Sequence, residues 1–192
     1  MTFFKIFLIF IQNNYKSFQL FINFEILFTV NNNLFIEKLN SLLSRVSLVD
    51  ILRDKYDYFF NPIQLGGGLP QVVFYHIEKP IQFDNLNITP IPIKHGVLNI
   101  LGYRFNNFTY ITDASSISEE SIKLIEGTEI LVLNGLRYRA HHTHLSLQES
   151  VNIADRIGAK KSYFTHMTHD VLHKNLEREL PENMFPAYDG LT

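Results

Sequence analysis

Ile130 to Leu133 and Ser162 to Thr165 are short strand-like runs, each leading to a segment of helical pattern, and this alternation limits the fold more than any other feature. The first leads to a helix over Ser146 to Ile157, opened by a Ser-x-x-Glu capping box at Ser146 and Glu149. The second leads to a helix over Val171 to Glu179. Their apolar runs are too continuous for a solvated face, which favours a layered α/β core over an all-β barrel. A helix over Ser116 to Glu126 is predicted as well, with Ser118 as its cap and Glu120 in its first turn. Gln71 to Ile77, Ile81 to Phe83, Val97 to Tyr103, Phe108 to Thr112 and Met184 to Tyr188 are predicted strands, with a turn at Asn106-Asn107. Asn87 to Ile93 carries Pro90 and Pro92, which predicts an edge-like strand.

With 192 residues the chain can bury one substantial core. Seventeen basic and nineteen acidic side chains leave a net charge of -2 with no long basic run, so no nucleic-acid partner is expected. Cysteine is absent, which excludes disulfides, zinc-thiolate sites and thiol nucleophiles. Any transition metal must be held by His, Asp, Glu or water. The same absence fits a reducing compartment, and a cytoplasmic location is expected.

The first forty-five residues are rich in Phe, Ile, Leu and Asn and contain no glycine or proline. Phe3 to Ile11 and Phe18 to Val30 fall short of the roughly 18 to 20 clean apolar residues of a membrane span, so no stable span is expected. An amphipathic helix packed on a core is the simpler reading of this stretch. Phe35 to Tyr58 has helical spacing at Leu39, Leu42, Leu43, Val46, Val49, Ile51 and Leu52, and predicts one or two helices. Gly66-Gly67-Gly68 lacks the Lys-Ser/Thr of a phosphate-binding loop and reads as structural.

Potential donors gather at predicted strand ends. Five of the eight histidines lie between positions 141 and 169. His95 closes one strand just before Gly96, placed either for ligation or for an ordinary hydrogen bond. Asp113 follows Tyr110-Ile111-Thr112, where a carboxylate either bridges cations or caps the next helix. His141-His142-Thr143-His144 packs three imidazoles into four residues, too close for all three to ligate one metal without strain. His144 is the preferred member, as a residue near the substrate phosphate, because it sits nearest a helix start. His166 stands at a strand end as a candidate ligand, with His169 three residues on as its supporting partner.

These segments resemble the metallo-β-lactamase superfamily, and within it the branch of phosphoribosyl 1,2-cyclic phosphate phosphodiesterase. The resemblance is carried by Thr89 to Gly96, Tyr110-Ile111-Thr112-Asp113-Ala114, Val132 to Arg137 leading to His141-His142-Thr143-His144, Thr165 to His169, and Ala187 to Leu191. It covers residues 47–192, and residues 1–46 are expected to be an atypical segment not native to the fold. It implies a partial αββα sandwich with an incomplete first β-layer. His95, Asp113 and His166 would be metal ligands, Asp113 bridging two zinc or manganese ions, and His144 and Asp113 would serve catalysis on a small cyclic phosphodiester. The family's His-x-His-x-Asp-His motif, the source of four further ligands, is missing, because no histidine precedes His76. The alternative expectation is therefore a truncated or mis-started, non-catalytic remnant with weak or no metal binding, in which a homo-oligomer covers the incomplete core.

Overall fold

In the computed structural model the chain forms two compact units, Met1–Glu78 and Lys79–Thr192. The described residues are five strands of the first unit, residues 78–83 and residues 85–191. Among them, no helix is long and apolar enough to cross a membrane.

The first unit holds a five-stranded sheet in the order β1-β2-β3-β4-β5. Its strands are β1 (Phe7–Leu8), β2 (Ser17–Ile22), β3 (Ile26–Asn31), β4 (Leu39–Ser44) and β5 (Gln71–His76). Neighbours run antiparallel as far as β4, and β4 and β5 run parallel. The helix expected over Phe35 to Tyr58 is corrected at Leu39–Ser44, and the amphipathic helix expected nearer the start gives way to β1, β2 and β3. A short leucine-rich run fits either period, and pairing on both edges, Leu42 opposite Phe28 and Phe74, decides for a strand. The rest of that expected helix and the glycine run lie outside the described residues.

The second unit is built on an eight-stranded mixed sheet, ordered β10-β7-β8-β9-β11-β12-β13 with β6 paired to β7. Its antiparallel part comprises β6 (Ile81–Phe83), β7 (Leu86–His95), β8 (Leu98–Phe105), β9 (Phe108–Ile111) and β10 (Ser116–Ile117). β11 (Ile130–Asn134), β12 (Lys161–Thr165) and β13 (Met184–Pro186) continue from β9 as a parallel part. Parallel neighbours need crossovers, supplied by α1 (Glu119–Ile125), α2 (Leu147–Ile157) and α3 (His173–Glu179). A mixed sheet with flanking helices is the expected α/β class, an open and incomplete αββα architecture.

β7 is not an edge strand: β8 lies along one side, while β6 and β10 pair with the two ends of the other. Pro90 and Pro92 are two apart, so their backbone groups share one edge. The Pro92 carbonyl accepts a hydrogen bond from Ser121 Oγ of α1, so that edge faces away from β8. The prolines therefore remove no bond from the β7–β8 ladder, and they lie between the stretches paired with β6 and β10.

Local signals explain the helices. Ser118 accepts from the Ser121 N–H to start α1, shorter than expected because Ser116–Ile117 pairs with β7. Ser146 and Glu149 form the expected capping box of α2, and Gly158 ends it at φ 66, a conformation that costs glycine little. Leu147, Ser150 and Ala154 give α2 its buried face. The core between sheet and helices contains Ile91, Ile111, Ile125, Leu131, Leu133 and Phe164, all fully buried.

Candidate metal centre

The chemistry-bearing side chains collect where β7, β9 and β12 end. Asp113 follows β9 by two residues and His166 follows β12 directly, and both adopt φ 60. Non-glycine residues rarely hold a positive φ, so the surrounding structure must enforce it. Buried Asn134, at the end of β11, supplies part of that enforcement. Its side-chain carbonyl accepts from the Ala114 N–H at 2.8 Å and its amide donates to the Ala114 carbonyl at 3.0 Å. The same carbonyl accepts the Leu145 N–H at 2.7 Å, while Gly135 N–H donates to Thr165 at 2.9 Å. These bonds tie the chain around Asp113, the His144 loop and the entry to His166 into one network.

His144 Nε2 lies 3.3 Å from Asp113 Oδ1, and His166 Nε2 lies 3.3 Å from the same oxygen. The two Nε2 atoms are 3.1 Å apart. Asp113, His144 and His166 thus form a group that can hold a metal ion, with ligand atoms all within 4.8 Å of one another. Asp113 is 2% exposed, and its Oδ2 is buried with no hydrogen-bond partner. An orphaned carboxylate oxygen beside two imidazoles fits a cation better than an empty polar pocket. Burial pushes the Asp113 carboxyl up, but the His144 hydrogen bond, the His166 charge, the Thr112 hydrogen bond and the His144 charge together hold it below the usual carboxylate range. Burial, then the Asp113 charge, push the neighbouring Tyr110 hydroxyl up to about 12.

His95 ends β7 beside a two-residue turn in which Gly96 takes φ 58. A Cβ on Gly96 would meet Thr143 Cγ2 at 3.0 Å, so the residue also permits close approach of the histidine loop. His95 Nδ1 lies 2.8 Å from the Thr143 carbonyl, which can only accept, so Nδ1 is the donor in that bond. Its ring stands edge-on to that of His144 at 4.7 Å, outside the group of three.

Of the three clustered histidines, the structure brings His144 to Asp113. His141 Nδ1 reaches His144 Nδ1 at 3.3 Å, and His142 is exposed. Partial desolvation, then Arg137 and the neighbouring histidines, hold the His141 imidazole below its ordinary range. His169 is exposed in a turn and does not join the group. Asn134 and Thr143 escaped the sequence reading. The available signal for Asn134 was a polar side chain closing the apolar run Ile130 to Leu133.

Residues 37–167 match the β-lactamase superfamily domain. The chain belongs to the metallo-β-lactamase superfamily. A solved structure described as a new diphosphatase from the PhnP family is 34% identical, with TM-score 0.72, over 80% of this chain and 57% of that one. A zinc-bound PqqB from Methylobacterium extorquens, 13% identical with TM-score 0.61, covers 81% of this chain and 64% of its own, and shares the fold. A Porphyromonas gingivalis protein named octanoyltransferase is 32% identical over 149 residues, 76% of this chain. The chain spans only 30% of that relative and 57% of the diphosphatase. Among the described residues, Asp113, His144 and His166 are a group of donors suited in type to one metal ion.

Proposed function

We propose that this chain, taken alone, is a non-catalytic partial form of a metal-dependent hydrolase domain, with at most weak metal binding. The observation that carries the reading is the donor count: among the described residues one group of three donors converges. No histidine precedes His76, so the four ligands of a His-x-His-x-Asp-His motif have no counterpart. Three donors hold one ion with positions left to solvent, whereas clamping the attacking and leaving oxygens of a displacement takes two ions. The proposed division into residues 1–46 and 47–192, and the cytoplasmic location, belong to the same reading.

A second reading keeps the chemistry of the complete domain: hydrolysis of a small, cyclic phosphodiester with zinc or manganese. It is favoured by the 34% identity to a diphosphatase, an enzyme of phosphorus–oxygen bond cleavage. In it His95, Asp113 and His166 would hold the ions, and His144 would donate to the phosphate or the leaving oxygen. A bound divalent ion supplies charge that neutralises phosphate oxygens. That reading needs ligands from outside the described group, such as a second copy of the chain. Octanoyl transfer is not carried over, because the match covers 30% of the protein so named.

The test is turnover of a cyclic ribose phosphodiester by zinc- or manganese-loaded protein. A rate no greater than that of metal in buffer, and the same for Asp113→Ala, is expected. Turnover that Asp113→Ala abolishes would establish the second reading.

A further inference from the structure

We infer that Ser115 is a positioning residue for His95, holding it at a fixed separation from Asp113, a role that rests on the reading of the chain as a partial metal-dependent hydrolase domain. Ser115 follows Asp113 by two residues, and its bonds reach the residues on both sides of His95. Its Oγ donates to the Lys94 carbonyl at 3.1 Å and accepts the Gly96 N–H at 2.9 Å. The Ser115 N–H donates to the same Lys94 carbonyl at 2.7 Å.

The hairpin needs such a tie. Gly96 and Val97 alone join β7 to β8, with His95 opposite Leu98 as the closing pair. Amides within a two-residue turn lie outside the ladder, and the Gly96 N–H finds its acceptor on another segment of the chain. Without that acceptor the turn can rock, and the imidazole beside it moves with the backbone. β10 pairs Ser116 and Ile117 with the stretch Ile93-Lys94, and Ser115 carries the connection past His95 to the turn.

The ring of His95 is tied to the same place by a second route. Its Nδ1 donates to the Thr143 carbonyl at 2.8 Å, and two residues on the Leu145 N–H donates to the Ala114 carbonyl at 2.7 Å. Backbone and imidazole are thus both anchored to the two residues that follow Asp113. Metal-site histidines depend on supporting bonds of this kind, and a displacement of about 1 Å is enough to cost a positioned reaction on the order of a hundredfold. Ser115 is half-buried and outside the hydrophobic core, so its hydroxyl fills no core volume. Threonine can make both side-chain bonds, and alanine neither.

Hydrogen exchange followed by NMR on the metal-free full chain tests the assignment, with the His95 Nδ1–H as the decisive signal. In Ser115→Ala the Gly96 amide and the His95 Nδ1–H are expected to exchange more than about tenfold faster, while the Gly135 amide, bonded to Thr165 in the parallel part, stays within about twofold. Ser115→Thr is expected to keep the wild-type rates at all three. An unchanged His95 Nδ1–H in Ser115→Ala, or faster exchange in Ser115→Thr as well, would overturn the inference. Equal acceleration at Gly135, or a Ser115→Ala chain that does not fold, would make the residue a structural one and overturn it too. Because no metal is present, the outcome is separate from that of the parent reading: phosphodiester turnover would overturn the non-catalytic reading and leave the role of Ser115 standing.

Discussion

The antiparallel and parallel parts of the second unit present their chemical groups in contrasting ways. In the antiparallel part, His95 stands beside a hairpin turn whose next residue, Val97, is 94% exposed, and one backbone carbonyl orients its ring. Where the sheet runs parallel, from β9 onward, Asp113 and His166 each follow by two residues a fully buried side chain, Ile111 and Phe164, and Asn134 links the loops between them. Both adopt positive φ there. Strands covered by crossover helices can hold a strained backbone, because the buried network outweighs the local cost. A hairpin places a side chain more loosely.

Core truncation should expose this contrast most strongly. Phe164→Ala is expected to destabilise the second unit by about 3–5 kcal/mol, whereas Val97→Ala should change stability by less than about 0.5 kcal/mol. Urea unfolding of both variants measures the difference, and similar losses would erase the distinction. Asn134→Ala comes next. It leaves the buried Ala114 N–H without its side-chain acceptor, at a cost of about 1–3 kcal/mol, and should also weaken metal binding because the loop after Asp113 loosens. Retained metal affinity at reduced stability would confine Asn134 to a folding role.

Much of this fold was legible in sequence, and the failures share a cause. The capping box at Ser146 and Glu149 is a local signal, and it marks the start of α2 as expected. β6 spans the three expected residues, Ile81–Phe83. Leu39–Ser44 was misread because a six-residue leucine-rich run carries no decisive period, and its identity comes from partners thirty residues onward and a dozen back. β7 was misread as an edge because β10 has two residues, too few to announce itself, and because the direction of the Pro90 and Pro92 backbone groups depends on pairing. At the site, residue type and strand-end position singled out His95, Asp113 and His166, and nearness to a helix start singled out His144. Distance along the chain hid the rest: Asn134 acts twenty residues from Ala114, and Thr143 acts forty-eight from His95. The three-residue spacing of His166 and His169 suggested a shared face, but this segment forms no helix and His169 is exposed.

The smallest predicted effect concerns β9, the strand both parts share. Tyr110 is raised from 10.0 to about 12, so the folded state keeps a proton that the unfolded chain releases above pH 10. Its contribution to stability is fully present below pH 10 and is lost as the pH rises toward about 12. Tyr110→Phe should remove that part of the alkaline slope while leaving stability near neutral pH within about 1 kcal/mol. Chemical unfolding at a series of alkaline pH values measures it, and an unchanged slope would show that Tyr110 does not titrate across this range.

The central claim is that, among the described residues, one three-donor group converges and no second one does. Elemental analysis of metal bound per chain, after reconstitution with zinc and removal of excess, tests it most directly when the same sample is sized by chromatography. The account predicts no more than one zinc per chain. Two zinc ions per chain would contradict it, and would mean that ligands beyond Asp113, His144 and His166 complete a hydrolase centre.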